Sequence, residues 1–528
     1  MPNITLNGIQ VEVPEGTTIL NAAKQVGIEI PTYCYHPKLP IAGSCRMCLV
    51  EVEKAPKLMT ACSTTVTEGM VVYTDNEKVR KAVTGVLEFL LVNHPVDCPI
   101  CDQAGECGLQ DYYMKYGLHK SRFALEDKVR KTKHQDIGGQ IMLDSERCIL
   151  CSRCVRFLNE VTKTGELEIC QRGNHSEISI FPGRPLDNNY TGNLADICPV
   201  GALTSKDFRF KCRVWFLAST KSVCTGCANG CNIDAYYRAE TMYRVKPRQN
   251  DAVNQTWMCD FGRLEYKKAN EARLVEPTLR QGGSDRTPGW DAALADVAYK
   301  FQEAIENGGA ESVAVIASPK SSNESLFLLR RLAAEVLRTS NLAFTPRVAG
   351  DGFADDFLIK ADKNPNSRGA KLVGISDADF DALLQKIADK KIKALLLFGN
   401  VLGDLGDNEV ATLLSAVPFV AVVGSNESAL SRAAQAVLPS ATVFERGGTF
   451  TSFAGRVQRF FAGIPLRGNA RPEIEIVAGI ANRLGAGWKD DDEAAVFSAL
   501  AAVLPPFSGM TYETLGEQGQ NVSEAGNA

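Results

Sequence analysis

Cys148-Ile-Leu-Cys151-Ser-Arg-Cys154 is the stretch of sequence that decides the fold, and Cys198-Pro199 follows it further along the chain. Three cysteines separated by pairs of residues, with a later cysteine before proline, are spaced like the thiolate ligands of a [4Fe-4S] cluster. No second triplet accompanies Cys170 or Cys212, so we expect Cys198 to complete this set. Cys170 and Cys212 are then predicted to be ordinary thiols.

The cysteines are confined to the first half of the chain. The sequence has 17 cysteines in 528 residues, and all of them lie at or before Cys259. An odd count and repeated Cys-x2-Cys pairs favour metal ligation by thiolates in a reducing compartment over a disulfide framework. Redox or metal chemistry is therefore predicted for the first half only.

Composition and charge argue against several classes of protein. A net charge of -4 gives no sign of nucleic-acid binding. No window approaches the ~18 consecutive apolar residues that cross a bilayer, so we expect membrane contact only through partner subunits. The N-terminal residues Met1-Pro-Asn-Ile-Thr-Leu6 enter a predicted strand without a signal peptide, which indicates a cytoplasmic protein.

The first segment is predicted to form a hairpin and a short helix. Apolar residues alternate on both sides of Asn7-Gly8, and Thr17 or Thr18 is placed to cap a helix that follows. This arrangement resembles the plant-type ferredoxin fold and predicts a [2Fe-2S] cluster, with a zinc site as the alternative. The candidate ligands are Cys34, Cys45, Cys48 and Cys62.

A second set of candidate ligands begins where an amphipathic helix ends. The helix is predicted from Lys81 to Asn93-His94-Pro95. A histidine in this position is often only a cap at the helix C-terminus. A pattern of one histidine and three cysteines resembles that of complex I and iron-only hydrogenases, which implies a [4Fe-4S] cluster. Its ligands would be His94, Cys98, Cys101 and Cys107.

A fourth set precedes the cysteine-free part of the chain. The spacing Cys224-x2-Cys227-x3-Cys231-x27-Cys259 resembles that of the cluster domain of molybdopterin oxidoreductases and predicts another [4Fe-4S] cluster. A zinc ribbon is the alternative, but the turns at Thr225-Gly226 and Asn229-Gly230 suit a cluster loop. The candidate ligands are Cys224, Cys227, Cys231 and Cys259.

The second half is predicted to be α/β. Val313–Ala317, Ala394–Phe398 and Phe419–Val423 are predicted to be buried parallel strands, and Asn323–Arg338 an amphipathic helix. The stretch from Ala436 to Gln458 resembles a late signature of the molybdopterin oxidoreductase superfamily. Only 269 residues (528 minus 259) and no cysteine remain after Cys259, so we expect a reduced scaffold without molybdopterin.

The four motifs in this order resemble those of the large iron–sulfur subunit (the G-type subunit) of NADH:quinone oxidoreductase, bacterial respiratory complex I. The fold class implied is multidomain, α+β and α/β. We expect a [2Fe-2S] β-grasp domain (1–80), a [4Fe-4S] domain with one His and three Cys ligands (81–140), a ferredoxin-like [4Fe-4S] domain (141–216), a [4Fe-4S] domain of the molybdopterin-oxidoreductase type (217–275), a degenerate α/β domain of that superfamily (276–510) and a disordered tail (511–528).

The resemblance also implies a function. The chain would pass electrons from a flavin- and NADH-binding subunit through its clusters towards quinone, with no catalytic residue of its own. Its other partners would be a [2Fe-2S] thioredoxin-like subunit and the quinone-side iron–sulfur subunits of the peripheral arm, at the cytoplasmic face of the bacterial inner membrane. The alternative is a subunit of a soluble NAD-linked formate dehydrogenase or hydrogenase.

Overall fold

The computed structural model describes residues 1–282, 284–346, 352–489 and 492–523. The chain divides into two compact units, Met1–Phe216 and Leu217–Ala528. The first unit contains three of the predicted ligand sets, and the second contains the fourth set together with the cysteine-free part. No helix in the described part of the chain is long and apolar enough to span a bilayer.

The first unit combines one five-stranded sheet with smaller sheets and five α-helices. Its strands are β1 (Asn3–Leu6), β2 (Ile9–Glu12), β3 (Leu49–Val52), β4 (Met59–Thr60), β5 (Val71–Tyr73), β6 (Gln135–Asp136), β7 (Ile141–Leu143), β8 (Glu168–Cys170), β9 (Glu177–Ser179) and β10 (Leu203–Ser205). Its helices are α1 (Ile19–Gln25), α2 (Glu77–Asn93), α3 (Gly108–Tyr116), α4 (Arg153–Glu160) and α5 (Asn193–Ile197).

The N-terminal sheet confirms the predicted β-grasp arrangement. Its strand order is β2-β1-β5-β3-β4, in which β1 pairs antiparallel with β2 and parallel with β5. The hairpin turns at Asn7 and Gly8, whose φ angles of 49° and 87° match a turn with left-handed central residues. Thr18 caps α1 by accepting a hydrogen bond from the Asn21 N–H at 3.4 Å. The apolar face of α1 packs on this sheet.

Helix α2 begins one turn earlier than predicted. Asn76 caps it, since its Oδ1 accepts a hydrogen bond from the Val79 N–H at 2.9 Å. The first turn is mostly charged, so the apolar repeat alone places the start too late. The C-terminus agrees with the prediction, because α2 ends at Asn93 and His94 is extended before Pro95.

The second unit contains a seven-stranded sheet and two three-stranded sheets. Its strands are β11 (Ala218–Val223), β12 (Asn232–Arg238), β13 (Thr241–Pro247), β14 (Thr278–Gln281), β15 (Ser284–Arg286), β16 (Val313–Ala317), β17 (Leu342–Phe344), β18 (Ala394–Phe398), β19 (Phe419–Gly424), β20 (Ala436–Pro439), β21 (Gly448–Thr451), β22 (Arg456–Phe460) and β23 (Gln520–Asn521). Its helices are α6 (Asp260–Leu264), α7 (Trp290–Gly308), α8 (Asn323–Arg331), α9 (Ser367–Val373), α10 (Phe380–Ala388), α11 (Asp407–Ser415), α12 (Ala429–Ala433), α13 (Glu473–Arg483), α14 (Glu493–Val503) and α15 (Tyr512–Leu515).

The large sheet confirms the α/β prediction for the second half. Its strand order is β15-β14-β20-β19-β18-β16-β17, and the five strands from β20 to β17 are parallel. Every residue of β16, β18 and β19 is buried, as expected for strands covered on both faces. Helix α8 is shorter than predicted, because a π-helical turn at Leu332–Leu337 follows it.

The tail predicted to be disordered from residue 511 to 528 is instead ordered as far as residue 523. Helix α15 and strand β23 lie within it, and β23 pairs antiparallel with β22. Leu515 and Val522 are buried in the main core of the second unit. The prediction of disorder is wrong for this stretch, because it rested on the polar composition and overlooked these few apolar residues. Residues 524–528 lie outside the described residues.

Candidate metal centres

The four cysteines of the first set meet beside the N-terminal sheet. Cys34 lies in the loop after α1, Cys45 and Cys48 immediately precede β3, and Cys62 follows β4. The thiols of Cys34 and Cys45 hydrogen-bond to each other, and those of Cys48 and Cys62 form a second pair. The hydrogen bond within each pair lowers the pKa of one member, which is Cys34 in the first pair and Cys62 in the second.

Backbone groups also approach this first set. The Cys34 N–H donates a hydrogen bond to Cys45 Sγ at 3.4 Å. Cys34, Cys48 and Cys62 are almost fully buried, whereas Cys45 is partly exposed. A site that gathers four thiols from two loops, one between α1 and β3 and one after β4, suits soft metal ions.

The third set, which is the triplet Cys148, Cys151 and Cys154 together with Cys198, lines one cavity. Cys154 lies in the first turn of α4, and Cys198 follows the last residue of α5. The rest of the lining is mainly apolar. Burial, followed by the charges of neighbouring cysteines, raises the pKa of Cys148 to about 12, although the Leu150 N–H donates to its sulfur at 3.4 Å. Burial likewise raises the pKa of Cys151 to about 11.

The cysteines of the second set converge at the ends of α2 and α3. Cys107 is the N-cap of α3, and the charges of Cys101 and Cys98 act on its thiol. Burial is the larger effect and raises the pKa of Cys107 to about 11. Buried thiols of this kind ionise when a bound metal supplies compensating positive charge. The thiols of this set therefore suit metal binding.

His94 presents one nitrogen without a hydrogen-bond partner. The residue is 9% exposed, its Nε2 is buried and unsatisfied, and its Nδ1 accepts a hydrogen bond from the Val96 N–H at 3.1 Å. Burial, reinforced by Lys128 and Arg147, lowers the pKa of His94 to about 4, so the ring is neutral at physiological pH. Neutral imidazole is the form that binds metals. If Nε2 bound a metal, the neutral ring would carry its proton on Nδ1. Nδ1 could then no longer accept the hydrogen bond from the Val96 N–H.

A buried ion pair joins the second set to the triplet. Arg147 precedes Cys148, and its guanidinium donates to both carboxylate oxygens of Asp97 at 2.9 and 2.7 Å. Asp97 lies between His94 and Cys98, and its charge acts on both His94 and Cys101. The Arg147 side chain is only 2% exposed. This bidentate pair fixes the two ligand loops against each other.

The fourth set lies in the second unit. Cys224 follows β11, Cys231 precedes β12, and Cys259 caps α6 by accepting a hydrogen bond from the Gly262 N–H at 3.4 Å. All four cysteines, including Cys227, are buried. Asn229 Nδ2 donates to Cys231 Sγ at 3.1 Å, and burial raises the pKa of Cys259 to about 11.

Two glycines leave room for the sulfurs. A Cβ at position 201 would lie 2.2 Å from Cys101 Sγ, and one at position 262 would lie 2.6 Å from Cys224 Sγ. Neither Gly201 nor Gly262 has an unusual φ angle, so space rather than backbone conformation requires glycine there. Both glycines follow a ligand cysteine by three residues, and that spacing is the only sequence signal for them.

The first three sets share one hydrophobic core. Cys34 of the first set, Cys107 of the second and Cys151 of the third all belong to it. Tyr33 is fully buried within this core, and its hydroxyl donates to the Gly108 carbonyl at 3.4 Å. The charges of Cys107 and Cys45 both act on Tyr33, which therefore lies near the first and second sets together.

The remaining two cysteines are only partly buried. Cys170 ends β8, and the Cys212 thiol donates to the Arg213 carbonyl at 3.5 Å. Within the described ranges, no three His, Cys, Asp or Glu side chains form a group that could hold a single metal ion.

Family models match successive parts of the chain. They are described as a 2Fe-2S iron-sulfur cluster binding domain (residues 2–77), the NADH-ubiquinone oxidoreductase-G iron-sulfur binding region (84–122), the ferredoxin-like domain of NADH-quinone oxidoreductase subunit 3 (138–204), the molybdopterin oxidoreductase Fe4S4 domain (217–271) and molybdopterin oxidoreductase (273–380 and 360–483). The chain therefore contains domains of the 2Fe-2S and 4Fe-4S binding families.

Two similar proteins are named as subunits of NADH oxidoreductases. The G subunit of NADH-quinone oxidoreductase from Rickettsia bellii (strain RML369-C) is 43% identical over 62% of this chain and 48% of its own length. The NADH-ubiquinone oxidoreductase 75 kDa subunit of Reclinomonas americana is 40% identical over 73% of this chain and 56% of its own. The chain thus spans about half the length of the curated relatives it matches.

A solved structure of an NAD+-reducing [NiFe]-hydrogenase in the H2-reduced state is also similar. It is 30% identical over 40% of this chain and 91% of its own chain, with a TM-score of 0.37. Two of the family models for the iron–sulfur domains and the relatives at about 40% identity all name an NADH oxidoreductase. Where they align, the chain is 43% identical to the G subunit of NADH-quinone oxidoreductase from Rickettsia bellii and 40% identical to the 75 kDa subunit of NADH-ubiquinone oxidoreductase from Reclinomonas americana.

Proposed function

We propose that the chain carries electrons through one [2Fe-2S] and three [4Fe-4S] clusters. The observation that carries this proposal is the shared core around the first three ligand sets, since electron transfer needs redox groups held close together in a dry interior. The proposed ligands are Cys34, Cys45, Cys48 and Cys62 for the [2Fe-2S] cluster, and for the [4Fe-4S] clusters His94, Cys98, Cys101 and Cys107; Cys148, Cys151, Cys154 and Cys198; and Cys224, Cys227, Cys231 and Cys259.

The side chains present fit such clusters. A [4Fe-4S] cluster takes one ligand on each iron and a [2Fe-2S] cluster takes two on each, so in both cases the ligands surround a volume instead of converging on one point. The cavity lined by the third set, the unsatisfied Nε2 of His94 and the space left by Gly201 and Gly262 support this arrangement. When bound, the clusters supply one-electron redox chemistry, and the protein holds them in place and limits their contact with water.

The similarity to these relatives supports a place in an NADH:quinone oxidoreductase. Electrons would enter from a flavin- and NADH-binding subunit and leave towards quinone-side iron–sulfur subunits, with a [2Fe-2S] thioredoxin-like subunit as a further partner. The chain would lie in the peripheral arm, at the cytoplasmic face of the bacterial inner membrane. We expect no molybdopterin in the second unit and no catalytic residue in the chain.

Alanine substitutions at single ligands test the assignment of the four sets. Cys48→Ala should remove about two irons per chain, and Cys101→Ala, Cys151→Ala and Cys227→Ala about four each, with one paramagnetic signal lost in each case. Cys170→Ala and Cys212→Ala are matched controls that should keep every signal. A ligand variant that retains all the iron and every signal of the wild type would remove that residue from the assignment.

Reduction by NADH tests whether the chain depends on a donor subunit. The isolated chain should stay oxidised with NADH and become reduced with dithionite, because it has no proposed flavin or NADH site. Addition of the flavin- and NADH-binding subunit should then allow NADH to reduce the clusters. Rapid reduction of the isolated chain by NADH would contradict the proposal.

A further inference from the structure

Arg156 connects a ligand of the first set to a ligand of the third set. It lies on α4, two residues after Cys154. One amino group of its guanidinium, Nη2, donates to the carbonyl oxygen of Cys34 and, at 3.4 Å, to that of Cys151. The other amino group donates to the Pro40 carbonyl, in the same loop as Cys34.

The neighbouring residue Arg153 reinforces the same connection. Its Nη2 donates to the Tyr35 carbonyl at 2.6 Å, and its Nη1 donates to the Ile197 carbonyl at 3.1 Å. Tyr35 follows Cys34, and Ile197 precedes Cys198. Helix α4 therefore holds the first-set loop against two separate loops of the third set.

The charge of Arg156 acts on both sets. It interacts with the thiols of Cys34, Cys151 and Cys154. Reduction adds negative charge to a cluster, so a nearby guanidinium favours the reduced form. The planar fork of arginine also holds several acceptors in a defined geometry, which a lysine ammonium on a flexible chain does not reproduce.

We propose that Arg156 is a positioning residue that couples the first and third clusters. This inference rests on the proposed function. Arg156 fixes the separation of the two clusters and joins Cys34 to Cys151 through hydrogen bonds. Its positive charge raises the reduction potential of both clusters. Each transfer moves one electron from the reduced cluster to the oxidised one; no bond is made or broken, and the guanidinium keeps its protons.

The test uses the full chain, purified anaerobically, and redox titration followed by paramagnetic resonance. Arg156→Gln should lower the reduction equilibrium constant of the first and third clusters by about tenfold, which equals about 59 mV for a one-electron couple. The second and fourth clusters are internal references and should shift less. Arg172→Gln, which removes an exposed cation from the same unit, is the matched control.

Arg156→Lys separates charge from positioning. We expect it to keep potentials close to those of the wild type while the magnetic interaction between the reduced first and third clusters weakens, because lysine keeps the charge and loses the fork. In Arg156→Gln the interaction should weaken as well. The Arg172→Gln control should keep both the potentials and the interaction of the wild type.

Two results would overturn the inference. One is an Arg156→Gln chain that holds all clusters and matches Arg172→Gln in potentials and magnetic interaction. The second result applies if the Arg156→Gln chain fails to assemble its clusters. In that case, an Arg156→Lys chain whose magnetic interaction equals that of the wild type would overturn the inference. A wild-type chain without iron–sulfur signals would instead contradict the proposed function, which keeps the two failures distinct.

Discussion

At the scale of single residues, space beside a sulfur atom is as important as the ligands themselves. Gly201→Ala would place a methyl group where only 2.2 Å separates its carbon from Cys101 Sγ. The same carbon would lie 3.2 Å from Gln103 Cβ, which leaves the methyl group little room to move away from the sulfur. We predict loss of the second cluster's paramagnetic signal and about four irons per chain, measured by iron analysis and spectroscopy.

Gly85→Ala is the control for this substitution. It lies inside α2, and a Cβ there would meet nothing within 4 Å. Alanine in a helix interior is favoured over glycine by about 0.5–1 kcal/mol, so this variant should keep its clusters and unfold at slightly higher denaturant concentration. A Gly201→Ala chain with the same iron content and signals as Gly85→Ala would contradict the proposed position of the second cluster.

The sequence predicts ligand residues better than it predicts their supports. Cysteine spacing indicated the third set, and the structure places its four members around one cavity. Arg147, Asp97 and Arg156 were not predicted, although the first two stand immediately before Cys148 and Cys98. Their partners lie far away in sequence, and Arg156 and Cys34 are 122 positions apart. A single sequence does not identify pairs at that separation.

At the scale of elements, the N-terminus of α8 contains a buried carboxyl group. Glu324 is fully buried and accepts hydrogen bonds from the Thr449 N–H at 3.0 Å, the Thr449 hydroxyl at 2.8 Å and the Tyr512 hydroxyl at 3.0 Å. Burial outweighs these bonds and raises the pKa of Glu324. The group therefore connects α8 with β21 and α15 while remaining difficult to ionise.

This raised pKa predicts a pH dependence of stability. The folded state binds the Glu324 proton more tightly than the unfolded state, so its contribution is complete below the usual glutamate pKa of 4.5 and is lost as pH rises towards the folded pKa. Denaturant unfolding from about pH 5 to about pH 8 should show this loss in the wild type and not in Glu324→Gln. Glu513→Gln, at an exposed position of α15, should behave as the wild type does.

The prediction would fail if Glu324→Gln and Glu513→Gln showed the same change of unfolding free energy with pH. That result would mean that Glu324 has a similar pKa in the folded and unfolded states. The quantity compared is the unfolding free energy of the second unit. The unfolding signal should therefore come from a tryptophan of that unit, such as Trp290 or Trp488.

Elements with strong local patterns were predictable, and elements made by distant packing were not. The strands Val313–Ala317 and Ala394–Phe398 have the predicted bounds, because continuous apolar runs identify strands buried on both faces. Helix α15 has four residues and β23 has two, which is too short for a periodic signal. Both depend on contacts with α8, β22 and the main core of the second unit.

At the scale of the whole molecule, the division into two units predicts that each unit binds its own share of the iron. The cores around the N-terminal sheet and around the first three ligand sets use residues of Met1–Phe216 alone. A chain that ends at Phe216 should therefore fold and hold about ten irons, the sum of two, four and four. A chain that begins at Leu217 should hold about four. Iron analysis and paramagnetic resonance of the two purified chains provide the measurement.

A folded first unit that lacks one of its three clusters would contradict this division. The full chain is the control, because its iron content should equal the sum of the two separate chains. The order of the motifs predicted the four sets, but it did not predict the common core of the first three. That arrangement depends on packing between Tyr33, Cys107 and Cys151, which no local pattern records.

The most direct test of the account is the metal content of the full chain, purified anaerobically, with iron, acid-labile sulfide, zinc and molybdenum measured together. Dithionite-reduced samples should be examined by low-temperature paramagnetic resonance in the same experiment. We predict about fourteen irons per chain, the sum of two and three fours, with matching sulfide and no molybdenum. Stoichiometric zinc with little iron would contradict the electron-transfer account, and stoichiometric molybdenum would indicate an active site within the chain.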